Sequence, residues 1–506
     1  MRTSHKATEG VEAFSPAEEQ FNARRRTIGL ILGPLVLVAL IAAPLPLPLP
    51  AHRLAGILAM VVVLWVTEAL PLAITAMLGP ILAVVFGVAP VRTALASFAD
   101  PVVFVFIGGF ILAEAMFVHG VDRRIAYTAL SSRFVGRSAG RILVTFGAVT
   151  AFLSMWMSNT ATTAMMFPIG QSIVAHLTRS GATGARQFAL VTMLITAFAA
   201  SIGGMATPVG TPPNLIGIGM LERLTGSDIT FFQWMLLGVP IVVVMFTVLA
   251  IYFWVVGARG VTLPEGSTAV VHEELRKLGP LSRAQRNVLL AFGMTVILWV
   301  LPGLLAMVGM DGTPFALAYA RAVPESVAAM LGAFLLFVLP IDWRARRFTL
   351  TWDEASKIEW GVVFLYGGGL ALGELAFTTG LAGAMGTGIA AWLPSHTTVV
   401  LTVLFTGMAI VLSEATSNTA SANMIVPIAI AVAIAAGIRP IEPALGATLG
   451  ASMGFMLPVS TPPNAIVYSS GYIPITAMMR YGLLLDVVGF FVIIAVVLLL
   501  GPIAIP

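Results

Sequence analysis

Two apolar stretches, 142–178 and 397–437, are too long to cross a membrane once and too apolar to lie outside one. At about 1.5 Å per residue, each would form a helix of at least roughly 55 Å, nearly twice the hydrocarbon thickness of a bilayer. Arginines settle what the first stretch does. Arg133, Arg137 and Arg141 precede it, and Arg179 and Arg186 follow it. By the positive-inside rule both ends face the cytoplasm, so the segment enters and returns on the same side. That is a re-entrant helical hairpin. Its turn falls on Ser158-Asn159-Thr160, residue types favoured where backbone groups lose their helical partners.

The rest of the chain fits the same environment. Of 506 residues, 58% are hydrophobic and 10% charged, too little charge to cover a soluble surface. Single spans are expected at 28–49, 53–69, 71–90, 100–119, 187–225, 231–257, 288–309, 325–341, 360–380, 441–473 and 480–503. The fold class is therefore an all-α polytopic membrane protein with about eleven spans and two re-entrant hairpins. With the N-terminus inside, the cytoplasmic segments are 120–141, 179–186, 258–287, 342–359 and 474–480. They carry most of the arginines and lysines, whereas the outer segment 381–396 has none. The C-terminus then lies outside. The segment 121–140 is amphipathic and is expected along the membrane surface. The tail 1–27 is polar, has no signal-peptide pattern and is expected in the cytoplasm. The formal charge of +4 is dispersed between apolar blocks, which reads as topology-setting charge and not as a nucleic-acid surface. With no cysteine, thiolate metal sites, disulfides and thiol catalysis are excluded.

The chain repeats itself. Gly108-Gly109-Phe110-Ile111-Leu112-Ala113-Glu114 lines up with Gly368-Gly369-Leu370-Ala371-Leu372-Gly373-Glu374, a shift of 260. Ser158-Asn159-Thr160-Ala161 lines up with Ser417-Asn418-Thr419-Ala420, a shift of 259. Thr207-Pro208-Val209-Gly210-Thr211-Pro212-Pro213-Asn214 lines up with Leu457-Pro458-Val459-Ser460-Thr461-Pro462-Pro463-Asn464, a shift of 250. The first half, 28–257, holds hairpin 142–178 and a broken helix at 187–225. After the linker 258–287, the second half, 288–506, holds hairpin 397–437 and a broken helix at 441–473. The first hairpin opens inward and the second outward, so the repeats are inverted. Inverted repeats with broken helices mark secondary transporters, because exchanging the two repeats' conformations exchanges inward and outward access.

The motifs suggest what is bound. Serine hydroxyls, asparagine amide oxygens and bare backbone carbonyls at a buried turn are neutral ligands for a hard cation. Amide nitrogens and threonine hydroxyls can donate to a carboxylate. Paired prolines interrupt the spans at 212–213 and 462–463, and mid-membrane breaks aim half-helix ends at ions. No Arg or Lys lies in the four motifs. An anion site without a fixed cation takes its charge from elsewhere, and bound sodium can supply it. Glu68, Glu114, Glu374, Glu414 and Asp486 are intramembrane acids. Structural roles are expected for Glu114 and Glu374, and Glu414 stands close enough to Ser417 to tune a second cation site or to cap the hairpin.

The doubled Ser-Asn-Thr tips and Thr-Pro-Pro-Asn breaks resemble the divalent anion/sodium symporter (DASS) family, including INDY-type dicarboxylate transporters. The resemblance covers about 50–500. It implies a homodimer in the bacterial cytoplasmic membrane, surrounded by lipid, in which a transport domain moves against a scaffold domain as an elevator. It implies sodium as the coupled ion, at Ser154, Ser158, Asn159 and Gly210 in one half and at Ser413, Thr416, Asn418 and Ser460 in the other. Ser413 stands where the family pattern has threonine and Ser460 where it has alanine. The first keeps a hydroxyl, and the second offers its backbone carbonyl. Substrate is implied at Asn159, Thr160, Thr211 and Pro212, and at Ser417, Asn418, Thr419, Thr461 and Pro462. The expected activity is sodium-coupled uptake of C4-dicarboxylates such as succinate, malate and fumarate. A sodium-independent exchanger or a citrate or sulfate carrier of the same family is the alternative. An intramembrane enzyme would need a paired-aspartate, Ser-His or His-Glu-x-x-His arrangement, and none is present.

Overall fold

The computed structural model describes residues 16–135, 138–179, 184–259, 261, 269–393 and 395–505. The first fifteen residues of the expected tail, and Arg137, lie outside the described residues. Both hairpins form. The first pairs Ala139–Ser154 with Asn159–Arg179, and the second pairs Thr398–Ala415 with Asn418–Ala435. The serine of each tip caps the returning helix: Ala161 N donates to Ser158 Oγ at 3.2 Å, and Ala420 N donates to Ser417 Oγ at 3.2 Å.

Both broken helices form as well. Ala185–Gly204 resumes as Pro212–Thr225, and Ile441–Gly450 resumes as Pro462–Tyr468. The prolines are not inside the break. They occupy the first two positions of each downstream half, where no intrahelical donor is needed and the proline φ already suits a helix. The unwound residues lie upstream, at 205–211 and 451–461. Each break is stapled by the asparagine that follows the prolines. Asn214 Nδ2 donates to the Gly204 and Thr207 carbonyls (2.9 and 2.7 Å), and Asn464 Nδ2 donates to the Gly454 and Leu457 carbonyls (both 3.0 Å). These are the same atoms at a shift of 250.

Packing divides the helices into two groups. The hairpins and broken helices pack on one another and on Phe231–Phe253 and Ile475–Ala504. Around them stand Pro16–Ala42, Leu49–Thr67 and Leu72–Val85 on one side, and Pro101–Val118, Arg283–Met307 and Glu325–Val338 on the other. Trp360–Thr378 joins the groups, packing on Leu72–Val85 and also on Pro212–Thr225 and Asn418–Ala435. Burial follows this arrangement. Ala185–Gly204 is 89% buried inside the protein, whereas only 11% of the first helix is, so most of its apolar surface is uncovered within this chain.

Several boundaries differ from expectation. The first helix starts at Pro16, inside the expected tail, because the polar run from Ala17 to Arg26 is itself helix-forming. The expected span 71–90 is helical only over Leu72–Val85, and the span 325–341 only over Glu325–Val338. Pro314–Ala322 precedes the latter at a 64° bend, where Pro324 disfavours helix in the residue before it. The amphipathic helix ends at Leu130, short of 140, and the linker holds a helix at Ala269–Lys277. Ten described helices are long and apolar enough to cross a membrane, a set that includes both arms of the second hairpin.

Candidate functional site

The two hairpin tips and the two breaks meet around one cavity of about 550 Å³. Every residue expected to touch substrate lines it: Asn159, Thr160, Thr211 and Pro212 from the first half, and Ser417, Asn418, Thr419, Thr461 and Pro462 from the second. Ser158 and Ser460 line it too. The remaining expected sodium ligands do not. Ser154, Ser413 and Thr416 are fully buried one layer behind the tips, as is Gly210. The site thus has a front wall suited to an anion and a back layer of neutral oxygens.

The asparagines belong to both layers. Ser154 Oγ donates to Asn159 Oδ1 at 2.8 Å, and Ser413 Oγ donates to Asn418 Oδ1 at 2.8 Å. In the first half Asn159 Nδ2 turns the other way, toward Thr211 Oγ1 at 3.5 Å. In the second half Asn418 Nδ2 reaches the Ser452 carbonyl at 3.4 Å. The oxygen end of each amide points into a small cradle beside a glycine. A Cβ added to Gly204 would overlap Asn159 Oδ1 and lie 3.1 Å from the Gly210 carbonyl. A Cβ added to Gly454 would lie 3.0 Å from Asn418 Oδ1 and 3.4 Å from Ser413 Oγ.

In each cradle the serine hydroxyl donates to the asparagine oxygen, and that amide oxygen keeps a second lone pair for a cation. The donor set fits sodium: hydroxyl, amide and carbonyl oxygens, without thiolate or imidazole. Among the described residues no group of three His, Asp or Glu side chains offers an alternative metal site. Two expected ligands use their hydroxyls elsewhere. Thr416 Oγ1 bonds to Ser421 Oγ and the Leu412 carbonyl, and Ser460 Oγ donates to Glu414 Oε2 at 2.7 Å. A hydroxyl that donates keeps its lone pairs, so Ser460 Oγ still offers an oxygen to a cation alongside the backbone carbonyl expected of it.

Sequence reasoning missed five contributors. Gly204 and Gly454 stand 250 apart and ten residues before Asn214 and Asn464, so extending the third alignment upstream finds them. Glu359 lines the cavity and accepts from Ser158 Oγ at 2.8 Å, and nothing local in the sequence points to it. Arg25 and Arg26 line an adjoining vestibule of about 430 Å³ that shares Ser417, Ser460, Thr461 and Pro462 with the main cavity. The motifs carry no cation, as expected, yet guanidinium groups stand at the vestibule. Arg25 is ion-paired to Glu68 at 2.8 Å.

At the far side of the joining helix, Arg223 Nε meets Glu374 Oε1 at 2.9 Å and Asp100 Oδ2 at 3.5 Å. Ser97 Oγ donates to Glu374 Oε2 (2.7 Å) and Tyr366 Oη donates to Asp100 Oδ1 (3.0 Å). Glu374 therefore holds helices together, in keeping with the structural role expected of it.

Residues 25–505 match the family described as the sodium:sulfate symporter transmembrane region. The chain belongs to this symporter family. Among its relatives is the sodium-dependent dicarboxylate transporter SdcS of Staphylococcus saprophyticus, 34% identical over 485 residues, covering 94% of this chain and 91% of the relative. The protein of the same name from Staphylococcus aureus strain RF122 is 32% identical over 486 residues, with the same coverage. Among solved structures, the YdaH transporter of Alcanivorax borkumensis aligns with a TM-score of 0.55 at 14% identity, covering 96% of this chain and 99% of the other. That likeness supports the all-α membrane fold of the symporter family member and nothing finer. As a member of a transporter family, the chain is not an enzyme.

Proposed function

We propose that this symporter family member carries C4-dicarboxylates into the cell together with sodium. The observation that carries the reading is the pair of neutral-oxygen cradles directly behind a cavity walled by amides and hydroxyls. A dianion in that cavity has no basic side chain on its walls, and cations in the cradles supply the missing charge. The relatives named for sodium-dependent dicarboxylate transport support the same substrate class. Radiolabelled succinate uptake into proteoliposomes tests it. Replacing external sodium by choline is expected to remove uptake, and equal rates in the two buffers refute coupling.

Arg25 and Arg26 favour one second reading, sodium-independent exchange, since guanidinium groups can hold a carboxylate without a metal. In that case Arg26→Gln removes uptake while sodium replacement leaves it intact.

Access follows from where the cavity opens. It joins a vestibule lined by Asn22, Arg25, Arg26 and Glu68, on the side assigned to the cytoplasm by positive charge. On the opposite side the Arg223–Glu374–Asp100 cluster ties the downstream half of the first broken helix to the joining helix and to the start of Pro101–Val118. The structure is read as an inward-facing state of an elevator, with the hairpin group as the moving part. The N-terminus is then cytoplasmic, the C-terminus external, and the membrane the bacterial inner membrane. The assembly is read as a homodimer. Arg223 is 43% exposed, so its ion pairs are partly screened and bias the resting equilibrium only modestly. Arg223→Ala is expected to lower the inward-facing population by about two- to fivefold. The chain has no native cysteine, so a single one placed at Val459 in the vestibule reports this directly. Its labelling from the cytoplasmic side by an impermeant maleimide slows in the variant, and unchanged labelling removes the cluster as a gate.

A further inference from the structure

The two halves share the serine caps, the serine–asparagine bonds and the asparagine staples, and they part at Glu414 and Asp486. At the hairpin shift of 259, Glu414 falls on Met155. The helices behind the breaks also correspond. A Cβ on Gly238 would press on the Met205 carbonyl and one on Gly482 would press on the Phe455 carbonyl, the two carbonyls being 250 residues apart. Pairing Gly238 with Gly482 places Asp486 on Val242. The first half therefore builds the same hairpin, break and cradle with a methionine and a valine. The fold does not require the acids.

Their surroundings point to a ligand. Glu414 Oε1 accepts from Met456 N at 2.8 Å and Oε2 accepts from Ser460 Oγ at 2.7 Å, so the carboxylate is held in place against the second break. Asp486 sits mid-way along Ile475–Ala504, 4% exposed, one turn beyond Gly482 and on the same face. It lies against the Glu414 carboxyl, and among the described residues its oxygens find no other partner. Ser452 Oγ, in the same unwound segment, is also buried without a partner. Two carboxylates in contact inside a bilayer repel strongly and each loses its hydration, so a positive charge belongs between them. Carboxylate, hydroxyl and unwound carbonyl oxygens are hard ligands for an alkali cation.

We propose that Glu414 and Asp486 form a further sodium site behind the second cradle, present in one half only. The proposal rests on the symport reading and adds one cation to each transport cycle. With a cation in each cradle matched by a dianionic substrate, that extra ion makes uptake carry net positive charge inward.

The test is the coupling ratio of the full-length protein in proteoliposomes, read from the sodium gradient that just balances a fixed succinate gradient. Wild type is expected to move one sodium ion more than its two cradles hold, and Asp486→Asn one ion fewer than wild type. Asp486→Glu restores the wild-type ratio. Detergent-solubilised Asp486→Asn is expected to show a shallower dependence of melting temperature on sodium, which reads binding without transport. An unchanged ratio in Asp486→Asn overturns the proposal. So does an intact sodium ratio accompanied by a lost pH dependence of uptake, the mark of a shared proton. If Asp486→Asn is not recovered as monodisperse protein, the wild-type ratio decides alone, and two sodium ions per succinate overturn the site. A wild type indifferent to sodium refutes the symport reading itself, a result distinct from either.

Discussion

Asn418→Ala is expected to reduce sodium-driven succinate uptake by more than about 100-fold while the protein still purifies as a folded species. A hydrogen bond or ligand contact involving a charged group contributes about 1.5–3 kcal/mol, and this side chain serves two of them. Its oxygen end points into the second cradle and its residue lines the cavity. Losing both removes about 3–6 kcal/mol from the loaded state. The fold survives because Ser413 Oγ, which loses Asn418 Oδ1, keeps the Ala451 carbonyl at 2.7 Å. Asn159→Ala gives the same loss of transport with a larger cost in stability. Ser154 is fully buried and bonds to Asn159, and leaving such a group unpaired costs about 1–3 kcal/mol. Uptake assays beside size-exclusion profiles and melting curves distinguish the two. Near-normal uptake in both variants removes the tips from the site.

Gly204→Ala is expected to raise the sodium concentration for half-maximal uptake by about 100-fold or more, and Gly454→Ala by only about three- to tenfold. The difference is geometric. The Gly204 position has no room, since a methyl there overlaps Asn159 Oδ1 and crowds the Gly210 carbonyl at 3.1 Å. At Gly454 the nearest atoms are 3.0 Å and 3.3 Å away, and a shift of a few tenths of an ångström relieves them. Neither glycine has a positive φ, so backbone strain plays no part. Sodium titration of uptake in the two variants checks the order. Equal effects at the two positions refute the unequal cradles.

Much of the site was legible because its chemistry is duplicated. A single Ser-Asn-Thr in an apolar block is commonplace, but two copies in register with two Thr-Pro-Pro-Asn copies are not, and all four motifs converge on one cavity. Arginine flanks gave the first hairpin, since charge placement is a local cost that the sequence displays directly, and the repeat gave the second. The prolines were legible as a break but not as its downstream edge. Their position at the start of the next helix depends on where the upstream half stops, which is decided by packing. Glu359 was not legible because at the repeat shift of 260 it falls on Ala99, so the duplication does not mark it, and Arg25 lies on a first helix that no repeat match covers. Helix lengths such as Leu72–Val85 were likewise hidden, being set by the neighbours each helix leans on.

The asparagine staples carry a consequence for speed. Asn214 and Asn464 fasten the unwound strands to their own downstream helices through bonds made within the chain itself. An arriving ion therefore finds its oxygens arranged beforehand and pays little ordering entropy on capture. A carrier built this way loads and unloads its passengers without remodelling their seats, so turnover is governed by how fast the whole carriage crosses.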